Sequence, residues 1–323
     1  MSKKIGVIID FLTPEYARQI NTAAEKYGYT VEYFPSSAAA VGNVSDCEIL
    51  FGHCSHKVLA SAENLKWHCC CWAGVDRFCA PGTFCSEDCL LTNSSGAYGV
   101  TISEHLIMVC LMLLRRQPEY TEIIRDGGWS VLPGGIRSLH GSRITVLGTG
   151  DIGTEFARRA KAFCPEKIVG VRRTMKPADP AFDEIYTFEQ LDSVLPTTDL
   201  LVMALPSTPE TVGILSRERI ALLPQGAYVI NVGRGTAIDQ KALADALNEE
   251  KLAGAALDVV VPEPLPAEHF LRSAKNMLLT PHVAGNMTLG YTCDRAVAMF
   301  LEDLDNYVSG RPLKHLVDRR KGY

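Results

Sequence analysis

The 323-residue sequence carries no excess of positive charge: 32 Lys and Arg stand against 37 Asp and Glu, a formal net charge of −5. A surface that neutralises nucleic-acid phosphates or anionic lipid needs a basic excess, so neither partner is implied. Long apolar runs are missing as well. The longest, "HLIMVCLMLL", falls short of the roughly 18–20 residues that cross a bilayer, and Arg115 and Arg116 close it, so it reads as a buried helix. The opening "MSKKIGVIID" is too briefly apolar for a secretory signal and reads as a first strand. Cysteine is plentiful, 11 residues, yet the Cys-x-x-Cys spacing of zinc and redox sites is lacking. An odd number of cysteines without a secretory signal points to reduced thiols and a cytoplasmic setting.

The cysteines crowd into "WHCCCWAGVD". Neighbours in a strand face opposite ways, so Cys69 and Cys71 share one face and Cys70 takes the other, and three adjacent thiolates do not converge on one ion. We read them as small apolar packing residues in the final strand of their domain, with no metal bound. Trp72 closes one side of a pocket or packs in the core. A cysteine-based metal or redox protein is the competing reading, which elemental analysis for zinc or iron tests.

Short apolar runs alternate with helical patterns through the first hundred residues, from "KIGVIID" and "PEYARQINTAAEKYG" to "LKWHCCC", the signature of βαβ units and a parallel sheet. "TNSSGAYG" is a connector near residues 92–99. A long helix runs from about Val100 to Arg116 and a second helical piece to about Asp126, before the loop "GGWSVLPGG". The pattern then restarts: strands at "RITVLG", "KIVGV", "DLLVMAL", "AYVINV", "GAALDVV" and "NMLL", helices at "DIGTEFARRAKAFC", "FEQLDSVLPTT", "SRERIALLP" and "QKALADALNEEK". A last helix begins near Leu289 and stops at Gly310, with Pro312 beyond.

In "VLGTGDIGTEF" Gly148, Gly150 and Gly153 have G-x-G-x-x-G spacing between a strand and a helix. That context serves a dinucleotide: the glycines give a tight turn, close approach to a pyrophosphate and close helix–strand packing, and the helix N-terminus offers amides and positive dipole. After "KIVGV" the carboxylate that would accept from the ribose hydroxyls of NAD is missing. Arg172, Arg173 and Thr174 stand there instead. Two cations and a hydroxyl suit a 2′-phosphate, which favours NADP(H) over NAD(H); a solvated strand edge is the plainer alternative.

Three later strand ends carry polar residues: Arg234 in "NVGRG", Asp258 and Glu263 in "LDVVVPEPLP", and His282 in "TPHVAG". With "AGVD" at 73–76, "LGTGDIG" at 147–153 and "ALPSTPET" at 204–211, in this order, the chain resembles the D-isomer-specific 2-hydroxyacid dehydrogenases over nearly its whole length. The resemblance implies an α/β fold of two Rossmann-like domains with parallel sheets, a flavodoxin-like substrate domain (1–98 and 290–323) and a dinucleotide-binding domain (99–289), with a cleft between them. It implies NAD(P)H-dependent, reversible reduction of a small 2-oxo acid to the D-2-hydroxy acid.

Such a reaction needs a proton donor and a grip on the substrate. His282 is the donor, because imidazole titrates nearest neutrality; Glu263, in contact with it, orients the ring and favours its protonated form. Arg234 holds the 2-oxo group and carboxylate with its planar fork. By resemblance Ala73 and Gly74 offer backbone amides to the substrate carboxylate. His53 falls where some members carry a substrate-contacting arginine, which weakens the case for a phosphorylated substrate; it is otherwise a surface-loop histidine. The cofactor set implied is Gly148, Gly150, Asp151, Ile152, Gly153, Arg172, Arg173, Thr174, Leu205, Pro206, Thr211, Val232, Gly233, Asp258 and Gly285. Tyr98 lines the cleft or caps the hinge.

Glyoxylate or hydroxypyruvate is the favoured substrate type. An NAD-dependent, phosphoglycerate-type dehydrogenase and a nucleotide-sensing corepressor-like binding protein are the alternatives. The short stretch after His282 leaves no regulatory domain. The long helix is apolar beyond one face, which suggests burial against a second copy in a homodimer, with Trp129 reaching across. His105 on that helix reads as a buried hydrogen-bonding residue.

Overall fold

The computed structural model describes residues 3–177 and 179–322. The chain forms two compact units, Met1–Tyr98 with Asn286–Tyr323, and Gly99–Gly285.

The first unit has strands β1 (Lys4–Ile8), β2 (Thr30–Tyr33), β3 (Ile49–Gly52), β4 (Trp67–Cys69) and β5 (Leu90–Thr92), all parallel, in the order β2-β1-β3-β4-β5. That is the flavodoxin-like order. Helices α1 (Pro14–Lys26), α2 (Ser37–Ala40) and α3 (His56–Ser61) connect its strands. Thr13, Ser36 and Ser55 cap them, each side chain accepting from a first-turn amide.

Both faces of this sheet are covered, which accounts for strands without polar alternation. Trp67, Cys69 and Cys71 pack on one face with Phe51 and Phe300, while Cys70 joins Leu50, Phe78 and Leu91 on the other. The three thiols are free and buried, and burial pushes the Cys70 thiol up to about 11. They are packing residues at the alternating faces expected of an extended segment. Their strand is not the last, however: Cys70 and Cys71 lie just beyond β4, and β5 forms the edge. "LLT" is too short for a periodic signal, so pairing with β4 rather than local pattern makes it a strand.

The second unit is a seven-stranded parallel sheet in the order β12-β11-β10-β9-β6-β7-β8: β6 (Arg143–Leu147), β7 (Lys167–Arg172), β8 (Glu184–Thr187), β9 (Leu200–Met203), β10 (Ala227–Asn231), β11 (Leu252–Leu257) and β12 (Met277–Leu279). Its helices are α4 (Gly99–Leu114), α5 (Gln117–Arg125), α6 (Asp151–Ala160), α7 (Leu191–Val194), α8 (Arg217–Leu222) and α9 (Gln240–Asn248). The final helix, α10 (Gly290–Val308), belongs to the first unit. It stops where Gly310 takes a left-handed φ of 66°.

Two local readings are corrected here. β8 is a strand that the pattern hid, because "EIYT" is half-buried throughout at a sheet edge. The helix read through "FEQLDSVLPTT" is one turn of α-helix between two 3₁₀ turns. Pro196 has no amide to continue it. Among the described residues, no helix is long and apolar enough to cross a membrane.

Candidate active site

β6 lies where the strand order of the second unit reverses, the place at which open α/β sheets bind ligands. The turn after it uses each glycine differently. Gly148 has φ +100°, and a Cβ there would lie 2.6 Å from the Ala204 carbonyl oxygen; one on Gly153 would lie 1.9 Å from the Gly148 oxygen. Those two glycines let strand, turn and helix close up. At Gly150 a Cβ would meet nothing within 4 Å. Open space at the N-terminus of α6, lined by backbone, fits a pyrophosphate. Asp151 is exposed and Ile152 half-buried at the start of that helix.

Arg172 ends β7 half-buried, Arg173 follows half-buried, and Thr174 is exposed. The Glu210 carboxyl is held below its usual range by the Thr208 hydroxyl chiefly, with the positive charge of Arg173 adding a smaller pull. The 205–211 loop is tied to itself: Thr211 Oγ1 donates to the Pro206 carbonyl at 2.6 Å and accepts from the Thr208 amide at 2.8 Å. Leu205 is buried beneath it.

The remaining chemistry sits at the carboxyl ends of three adjacent strands, β10, β11 and β12. After β10, Val232 donates its amide to Met203 O and Gly233 donates to Asn231 Oδ1 at 2.9 Å. Asn231 Nδ2 donates to the Arg234 carbonyl at 2.9 Å, and Arg234 Nη1 donates to the Gly233 carbonyl at 2.8 Å. Asn231 thus fixes both sides of the turn that presents the half-buried Arg234.

After β11, Asp258 is 4% exposed. Its carboxylate accepts from Thr280 Oγ1 at 2.6 Å, the Val283 amide at 2.9 Å and the Ala284 amide at 3.0 Å, while its carbonyl accepts from the His282 amide at 2.9 Å. This clamp encloses His282, which has a left-handed φ of 55°. A non-glycine residue held there needs surroundings that over-determine it, and Asp258 supplies them. Gly285 closes the segment half-buried.

His282 and Glu263 meet at 2.8 Å, Nδ1 to Oε2, and Glu263 Oε1 accepts from the Val260 amide at 3.0 Å. With Nδ1–H donating to Glu263, Nε2 is the nitrogen left to exchange a proton with another group. Gln240 holds the loop leading into Glu263, donating to the Val261 carbonyl at 2.6 Å and accepting from its amide at 2.9 Å. Sequence reasoning missed Gln240 and the clamping role of Asp258, because both act over more than twenty residues. His105 is half-buried on α4; burial holds its ring below its usual value, opposed by the nearby Asp258 carboxylate.

In the first unit, His53 follows β3 and its ring stacks on Trp72 at 4.3 Å, with Asp10 at 3.6 Å. It is no surface-loop histidine: its Nε2 is buried and, among the described residues, has no hydrogen-bond partner, and burial lowers its pKa. Arg77 covers Trp72 at 4.2 Å. Neither pattern nor resemblance singled out Arg77. Ala73 and Gly74 are half-buried in the turn after Trp72, and among the described residues no hydrogen bond takes up their amides. Tyr98 is buried and donates to the Cys71 carbonyl at 2.8 Å. Among the described residues, no three metal-ligating side chains gather into a site.

Parallel sheet, glycine turn at the switch point and polar strand ends define a dinucleotide-binding oxidoreductase. Residues 107–284 match the family described as "D-isomer specific 2-hydroxyacid dehydrogenase, NAD binding domain". A glyoxylate reductase of Thermofilum pendens is 31% identical over 77% of this chain and 76% of its own length. A D-isomer specific 2-hydroxyacid dehydrogenase family protein from Aeromonas salmonicida is 30% identical with a TM-score of 0.85, covering 99% of this chain and 100% of that one. An NADPH-dependent glyoxylate/hydroxypyruvate reductase from Sinorhizobium meliloti, solved with NADP and sulfate, is 26% identical with a TM-score of 0.83, each chain covered completely. The chain belongs to the D-isomer specific 2-hydroxyacid dehydrogenase family, and its second unit is the nicotinamide-dinucleotide-binding domain.

Proposed function

We propose that this protein reduces a small 2-oxo acid, glyoxylate or hydroxypyruvate, to the D-2-hydroxy acid, preferring NADP(H). The His282–Glu263 pair at 2.8 Å carries the reading: it joins the segments after β12 and β11, the latter also bearing Asp258, and β11 adjoins β10, whose end bears Arg234. When bound, the reduced nicotinamide supplies a hydride. His282 gives the carbonyl oxygen its proton from Nε2, and Glu263 keeps Nδ1 protonated and the ring aimed. Arg234 orients the 2-oxo acid and offsets the negative charge that grows on its oxygen. The amides of Ala73 and Gly74 take the substrate carboxylate, and His53 borders it.

Gly148, Gly150, Gly153, Asp151 and Ile152 hold the pyrophosphate, and Leu205, Pro206, Thr211, Val232, Gly233, Asp258 and Gly285 line the rest of the dinucleotide. Arg172, Arg173 and Thr174 take the 2′-phosphate; the relative from Sinorhizobium meliloti is named as NADPH-dependent. The purified protein is expected to consume NADPH with glyoxylate or hydroxypyruvate, and changing Arg172 and Arg173 together to Gln should weaken NADPH by about 10²-fold at two lost charge-assisted bonds, sparing NADH. Equal loss for both cofactors would remove the 2′-phosphate role; no oxidation of either cofactor by these acids would remove the function.

A homodimer and a cytoplasmic setting complete the proposal. Eleven free cysteines suit a reducing compartment. Met108 on α4 is 46% exposed, and Ile124, Trp129 and Val131 beyond it are 54%, 92% and 87% exposed. Apolar exposure on that scale suits burial against a second copy. Light scattering should return twice the mass of one chain; a monomer would refute the pairing.

A further inference from the structure

The turn that carries Ala73 and Gly74 is held from behind by a single neighbouring segment. Four successive carbonyls are taken up by donors between Asn93 and Tyr98. Ser94 Oγ donates to Cys70 O at 3.2 Å, the Tyr98 hydroxyl to Cys71 O at 2.8 Å, the Ser94 amide to Trp72 O at 3.1 Å, and Asn93 Nδ2 to Ala73 O at 2.7 Å. In a trans peptide the C=O of one residue and the N–H of the next point in opposite directions. Pinning Trp72 O therefore aims the Ala73 amide away from the clamp, and pinning Ala73 O aims the Gly74 amide away from it.

The donors are themselves fixed. Asn93 is 6%, Ser94 1% and Tyr98 4% exposed. Asn93 Oδ1 accepts from the Ser95 amide at 3.3 Å, and the Asn93 amide donates to His315 O at 3.3 Å. His315 is held in turn by Asp303, Nδ1 to Oδ2 at 2.8 Å. The tail after α10 thus braces the clamp. Two neighbouring amides aimed outward, with no partner among the described residues, make a concave donor pair of the kind that receives an anion.

We infer that Asn93 is a positioning residue: with Ser94 and Tyr98 it turns the amides of Ala73 and Gly74 outward to receive the carboxylate of the 2-oxo acid. This rests on the proposed function, and it adds to it a determinant of carboxylate recognition that never touches the substrate. Because the clamp acts on binding of the carboxylate, which adjoins the reacting carbon but keeps its charge unchanged through the reaction, its loss falls on KM more than on kcat.

Asn93→Ala should raise KM for glyoxylate by about tenfold, the size of one buried hydrogen bond, with kcat and KM for NADPH within about threefold of wild type. Asn93→Asp keeps the acceptor for Ser95 but loses the donor, and should match or exceed that rise; a residue that only shaped its own turn would be rescued by it. Oxamate, an unreduced mimic, titrated calorimetrically into the NADPH-loaded enzyme should bind about tenfold more weakly to both variants. Should neither fold, Tyr98→Phe removes one hydroxyl and should raise KM for glyoxylate by about threefold. Unchanged KM and oxamate affinity in the folded variants overturns the clamp while wild-type turnover upholds the reductase; a wild type that turns over neither glyoxylate nor hydroxypyruvate overturns the reductase itself.

Discussion

His282→Asn is expected to lower kcat by about 10²–10⁴-fold, the range that a positioned proton donor contributes, with NADPH affinity, read by fluorescence titration, unchanged. Asparagine is the informative replacement because it tolerates the left-handed φ of 55° that His282 adopts. An apolar β-branched residue there would strain the turn and confuse lost chemistry with lost structure. The Asp258 clamp binds the backbone amides of residues 282–284 and does not depend on the imidazole, so it survives the change. Glu263→Ala should cost about 10²-fold, since the ring keeps its proton-transfer nitrogen but loses the partner that fixes its tautomer and aim. A His282→Asn enzyme within a few-fold of wild type would place the proton donor elsewhere.

What could be read in advance depended on how far apart the interacting residues lie. The alternation of strands and helices and the glycine turn are local patterns, and they pointed to an α/β architecture of two units with parallel sheets. β5 and β8 escaped because strands of three and four residues at sheet edges carry no period of their own. The pairing of His282 with Glu263 could be anticipated only through the order of motifs, since nineteen residues separate them. Arg77 over Trp72, Gln240 on Val261 and Asn93 on Ala73 left no trace in spacing or composition. Each depends on where the sheet delivers a loop.

Arg234→Ala is expected to lower kcat/KM by about 10²–10⁴-fold, the loss of two charge-assisted hydrogen bonds at about 1.5–3 kcal/mol each. Arg234→Lys separates charge from shape. Lysine restores the positive charge but offers a single rotating ammonium in place of a planar fork that engages two oxygens together. The wild-type guanidinium is also oriented before substrate arrives, because Nη1 donates to the Gly233 carbonyl and Asn231 holds the same turn from the other side. An ammonium on a flexible stem lacks that preorganisation, so Arg234→Lys should recover about tenfold of the loss and no more. The deficit should fall on kcat as well as KM, since the fork both grips the ground state and meets charge developing on the 2-oxo oxygen. Full recovery by lysine would mean that position 234 contributes charge alone, and an Arg234→Ala enzyme of near-wild-type kcat/KM would remove it from the site.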